Sequence, residues 1–72
     1  MKIRYTLHAE RRLLERGITK REVAAAFHFG AKSDIWGGLR KCVYKDLKGT
    51  LIVIYHIRGF LDYKIITLYY EH

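Results

Sequence analysis

The residues best suited to chemistry sit near the N-terminus: His8, Arg12 and Arg16, each four positions from the last. An α-helix turns about 100° per residue, so consecutive members of this series lie about 40° apart and form one polar stripe. A histidine can take or give a proton near neutral pH. An arginine grips phosphate oxygens with a bidentate fork. Tyr69, near the end of the chain, adds a hydroxyl that can orient a group or donate a proton. Together these suit metal-independent RNA cleavage, in which the 2′-hydroxyl attacks the adjacent phosphate. That reaction needs a base, an acid and cationic donors around the phosphorane. His8, Arg12, Arg16 and Tyr69 are therefore the catalytic candidates, with His8 as acid/base. Arg11, Lys20, Arg21, Arg40 and Lys41 are candidate nucleic-acid contacts. The competing reading of the same spacing is an exposed helix face with no chemistry.

Other chemistries find little to work with. His8, His28, His56 and His72 share no metal-ligand spacing, and the single Cys42 cannot build a zinc cluster. No glycine-rich phosphate loop follows a strand. Ser33 is the only serine and lies in no nucleophile elbow. No cofactor is expected.

The stripe needs a helix to hold it. Leu7, Ala9, Leu13 and Leu14 fall on the arc opposite the stripe and predict a buried face, with Glu10 intruding. Thr6 is the expected N-cap and Gly17 the left-handed stop of a helix over 7–16. A second helix over 20–29 follows. Thr19 and Glu22 have capping-box spacing, and Ile18 and Val23 occupy the positions of a hydrophobic staple. Gly30 ends it. Residues 2–5 read as a short edge strand or an arm. Residues 31–38 read as a connection whose Trp36 plugs the edge of the core. From Leu39 the period changes to two. A strand to Lys45, a turn at 46–49, a nearly continuous apolar strand over 50–57 and a last strand over 63–70 follow. Short turns require antiparallel neighbours. The expected fold is α+β: one domain over 1–72, with two N-terminal helices on one face of a three- to four-stranded antiparallel sheet. The other face would then be open, basic and lined with tyrosine, able to stack on bases. For most of the six tyrosines, packing and β-propensity explain the residue equally well.

Composition narrows the partners. The net charge is +7 in 72 residues, and Arg11, Arg12, Arg16, Lys20 and Arg21 fall within eleven positions opposed by Glu15 alone. This favours a polyanion, nucleic acid first and an acidic protein next. No run is long enough to span a membrane and no apolar anchor accompanies the charge, so no membrane partner is expected. A lone cysteine and no visible signal peptide point to the cytoplasm. A chain this short builds one modest core, to which a partner or a homodimer can contribute.

The pattern His8-x3-Arg12, Glu15-Arg16-Gly17-Ile18-Thr19 and a closing Ile66-Thr67-Leu68-Tyr69 resembles a family of small bacterial and archaeal domains. That family carries a histidine, an arginine four residues on, Glu-Arg-Gly-Ile and a C-terminal Ile-Thr-Val-Tyr. It is similar to the RelE/ParE and BrnT-like toxins. The resemblance spans nearly the whole chain, with Leu68 standing where the family has valine. It implies a RelE-like fold and the toxin of a toxin–antitoxin pair, acting as a metal-independent ribonuclease on mRNA, often at the ribosome. It also implies a small antitoxin protein as partner. His8, Arg12 and Arg16 match the helical motif and Tyr69 the closing tyrosine. One branch of these toxins poisons DNA gyrase and cuts no RNA. Three readings therefore stand: a ribonuclease toxin, a non-catalytic basic module that binds nucleic acid or protein, and an interaction subunit that pairs through its sheet edge.

Overall fold

In a computed structural model, residues 1–71 are described; His72, weighed above among the histidines, lies outside them. The order is β1 (Lys2–Tyr5), α1 (Leu7–Arg16), α2 (Lys20–Phe29), β2 (Ala31–Asp34), β3 (Arg40–Asp46), β4 (Gly49–Gly59) and β5 (Asp62–Glu71). The strands form one sheet in the order β1-β5-β4-β3-β2. The α+β class is as expected, but the sheet is five-stranded and mixed. β1 runs parallel to β5, while the other neighbours are antiparallel. The parallel pair follows from the chain's path: α1 and α2 turn the chain over between β1 and β2, and the three antiparallel connections after β2 bring β5 back to the direction of β1.

The helix ends obey local chemistry. The Thr6 hydroxyl accepts from the Ala9 N–H, and Gly17 adopts a left-handed conformation at φ 63°. Thr19 and Glu22 form the full capping box. Gly30 ends α2 for a different reason. A β-carbon there would stand 2.5 Å from the Ala26 carbonyl oxygen, 2.8 Å from that of Val43 and 2.9 Å from Cys42 Sγ. Only a residue without a side chain lets α2 pass that close to β3.

Both helices pack on the same sheet face. Ala9 and Leu13 of α1, Val23, Ala26 and Phe27 of α2, and Cys42, Leu51, Val53, Tyr55, Ile65 and Leu68 of the sheet are buried together. Phe27 stacks on Tyr63 at 4.6 Å and meets Tyr55 edge-on at 4.8 Å, which fixes α2 over β4 and β5.

Three further expectations fail. Leu7 and Leu14 are 78% and 86% exposed, because the stripe in contact with the sheet is only as wide as Ala9 and Leu13. Residues 31–34 are a strand, held by pairing to β3, although alanine, lysine, serine and aspartate carry no β signature. Trp36 is 85% exposed at the tip of the β2–β3 connection and plugs nothing.

A polar clamp joins the helical pair to the far end of the sheet. The Tyr70 hydroxyl sits between the carboxylates of Glu22 and Asp46, 2.8 Å from Asp46, and donates its one proton between them. Lys48 Nζ donates to Glu22 at 3.1 Å and to the Gly17 carbonyl at 3.3 Å. Burial alone would raise the Glu22 pKa. Hydrogen bonds from Tyr70, Lys48 and Thr19 outweigh it and hold the carboxyl at about 2. Burial, followed by the two carboxylate partners, pushes the Tyr70 phenol up. A depressed carboxyl stabilises the fold above its unfolded pKa and loses that contribution as pH falls through the folded value. Stability should therefore decline between about pH 4.5 and about pH 2. Glu22→Gln should lose on the order of 1–2 kcal/mol at neutral pH, with the difference from wild type vanishing near the acid end. Urea unfolding across that range measures both.

Candidate functional site

The site is built by one irregularity in β5. Thr67 pairs with Ile54 and Ile65 with Tyr55, which leaves Ile66 as an unpaired extra residue. This bulge changes the phase of the strand. Ile65 and Leu68, three apart, both point into the core, and both are fully buried. Thr67 and Tyr69 consequently turn to the open face.

Thr6 docks on the same bulge. Its backbone N–H donates to the Ile65 carbonyl at 3.1 Å and its hydroxyl to the Ile66 carbonyl at 3.1 Å. The hydroxyl also caps α1, so one side chain fixes the start of the helix to the irregular point of the strand. Two residues later, His8 Nε2 lies 3.1 Å from the Thr67 hydroxyl. At the other end of α1, the Gly17 carbonyl is held by Lys48, beside the point where Thr50 pairs with Glu71. The helix therefore runs in the same direction as the second half of β5. Four helical residues rise about 6 Å and two strand residues nearly 7 Å. His8, Arg12 and Arg16 are thus stepped level with Thr67, Tyr69 and Glu71. His8 and Arg12 share the flank away from α2, since Glu10 on the other flank pairs with Lys20 at 3.4 Å.

Directly paired residues share a sheet face, so the open face can be read in rows from β5 to β2. One row is Tyr69, Ile52, Val43 and Ala31; the next is Thr67, Ile54, Lys41 and Ser33. Beyond these lie His56, Lys64 and Arg4 at one end, and Lys45, Thr50 and Glu71 at the other. Ile52, 2% exposed although no helix covers it, forms an apolar floor with Ile54 and Val43. Cations surround this floor. Of the face's two acids, Asp62 is engaged by Arg4 at 3.4 Å, while Glu71 lies at the far end.

The expected residues divide accordingly. The fold brings His8 and Tyr69 to the same edge, Arg12 level with Tyr69, and Lys41 onto the face. Arg12 reaches Glu15 at only 3.8 Å, a loose exposed pair that a phosphate can displace. Arg16 stands about 12 Å along the helix axis from His8, too far to share one phosphate with it. Arg40 falls on the helix side of the sheet, pairs with Asp34 at 2.8 Å and is no part of this face. Lys20 is engaged by Glu10 and lies 5.0 Å over the Tyr5 ring. Arg11 and Arg21 are exposed on the helical layer. Only one tyrosine lines the open face. Tyr5, Tyr44, Tyr55, Tyr63 and Tyr70 pack with the core, leaving Tyr69. Arg4, Lys45, His56, Lys64 and Thr67 were not singled out by type or spacing. Thr67 is visible only inside the closing Ile-Thr-Leu-Tyr, and its face depends on the bulge.

Among the described residues there is no cluster of three metal-ligating side chains, and the face encloses no cavity. No described helix is long and apolar enough to cross a membrane. Comparisons with protein-family models, curated proteins and solved structures gave no match.

Thr6→Val should lose the cap and the anchor on Ile66 together, lowering stability by about 1–2 kcal/mol. Thr6→Ser, which keeps the hydroxyl, should recover most of that. Unfolding titrations of the two variants test whether the anchor rests on the hydroxyl.

Proposed function

We propose that the open face binds RNA and that the chain is a ribonuclease of the RelE-like toxin class, cutting RNA without a metal. The observation that carries the reading is His8 held against Thr67, with Tyr69 two residues on, at the rim of a cationic sheet face. Element order supports the fold class: two helices lie on one face of a sheet whose long strands are antiparallel. β1 and β2 extend that sheet at its two edges.

In the reaction, the 2′-oxygen bonds to phosphorus and the bond from phosphorus to the 5′-oxygen breaks. The products are a 2′,3′-cyclic phosphate and a 5′-hydroxyl. His8 Nε2 accepts the 2′ proton, taking the substrate hydroxyl in place of Thr67. Tyr69, about 7 Å further along β5, donates to the departing 5′-oxygen, with one phosphodiester between the two groups. Arg12, level with Tyr69, stabilises the charge that builds on the non-bridging oxygens. Lys41, Lys45 and Lys64 hold flanking phosphates. Arg16 serves a neighbouring phosphate.

Incubation with mixed-sequence RNA in EDTA should give 2′,3′-cyclic ends. His8→Ala should reduce the rate by at least about a hundredfold while leaving RNA affinity nearly unchanged. A folded His8→Ala protein that cleaves at the wild-type rate would remove His8 from the mechanism. Binding without cleavage, on free RNA and on translating ribosomes alike, would favour the non-catalytic module.

The two neighbours on β3 give an internal control. Lys41→Ala should lower the salt dependence of RNA binding by about 0.7 in logarithmic slope. Arg40→Ala should leave that slope alone and weaken the fold instead, since Arg40 pairs with Asp34 on the other side of the sheet. Binding isotherms at several salt concentrations distinguish the two.

A further inference from the structure

Trp36 is the only tryptophan in the chain and has no structural task. It is 85% exposed in the hairpin connection between β2 and β3. Ile35 N–H donates to the Leu39 carbonyl at 3.0 Å, which closes the tip around Trp36, Gly37 and Gly38. Both glycines have positive φ, 71° and 78°, so the tip takes a shape that other residues rarely adopt. The Gly38 carbonyl lies 3.0 Å from His56 Nδ1. His56 pairs with Lys64, which pairs with Arg4, so the tip is tied to the cationic end of the face. From Thr67 to His56 is one strand across and two residues along, roughly 8 Å. A strand of RNA engaged at His8 and Tyr69 therefore comes to the tip that carries Trp36 after a short stretch past Lys41 and Lys64.

We infer that Trp36 is a second nucleobase-binding subsite, where an unpaired RNA base stacks on the indole while Lys64, Arg4 and Lys41 hold the phosphates leading to it. The inference rests on the RNA-binding reading above and adds to it the requirement for an unpaired base at this end of the face. An exposed aromatic beside a row of cations is the combination that binds single strands, because every base offers a π-face. A self-association contact at this tip is disfavoured, since it would bring together two copies that each carry +7.

The test uses His8→Ala protein, which keeps the RNA intact, and the fluorescence of Trp36 itself. A single-stranded RNA of about eight nucleotides should quench the emission on binding. Polyphosphate, an equally anionic chain without bases, should bind without quenching. Trp36→Ala should weaken RNA binding about tenfold and leave both polyphosphate affinity and the salt slope unchanged, with Trp36→Phe recovering much of the loss. RNA binding that leaves the emission unchanged and is equally tight in Trp36→Ala would overturn the subsite while sparing the RNA-binding face. Failure of both RNA and polyphosphate to bind would overturn the face and the subsite together. Emission that responds to protein concentration and not to RNA would assign the tip to a contact between copies and overturn the subsite.

Discussion

The docking of Thr6 on the bulge at Ile66 is the interaction from which the site follows. Without the extra residue, Ile65, Thr67 and Tyr69 would alternate onto one face and Leu68 would leave the core. With it, the strand keeps Ile65 and Leu68 inside and turns Thr67 and Tyr69 outward. Two carbonyls beside the irregularity accept from Thr6. The same hydroxyl starts α1, and His8 arrives beside Thr67 as a consequence. A backbone irregularity thereby sets the position of a side chain far away in sequence.

The second constraint is that both helices cover the same side. The covered face takes Phe27 and every tyrosine but Tyr69, and the other side keeps a floor of Ile52, Ile54 and Val43 within a ring of cations. Charge and layer arrangement then act together. The +7 net charge supplies attraction at a distance, and the one-sided packing gives it an uncovered surface on which to act. The polar clamp of Glu22, Tyr70, Asp46 and Lys48 serves the same end, since it ties the helical pair to the turn between β3 and β4 and keeps α1 aligned along β5.

Much of this was legible in the sequence, and what was legible was local. Thr6, Gly17, Thr19 with Glu22, and Gly30 each mark a helix end through chemistry confined to a few residues, and each stands where expected. The long apolar stretch over 50–57 reads as a central strand, and β4 is the middle strand of the sheet. What escaped depends on pairing at a distance. The bulge is invisible because Ile66 is an ordinary strand residue. β2 exists through its partner, and β1 is parallel to β5 because the helical pair turns the chain over before three antiparallel connections follow. Arg40 and Lys41 look alike as neighbours, yet strand alternation sends one to an ion pair with Asp34 and the other to the open face. Trp36 reads from the sequence as a plug at the core edge, yet the glycine-rich tip holds it in solvent.

The most direct test of this account is to map which residues of the intact chain respond to a short single-stranded RNA by NMR chemical-shift perturbation. Binding on the open face should give the largest changes at His8, Lys41, Ile52, Ile54, Thr67 and Tyr69, which converge on one face only in the folded sheet. Changes concentrated at Arg11, Lys20 and Arg21, with the sheet silent, would contradict it and assign the binding to the helical layer.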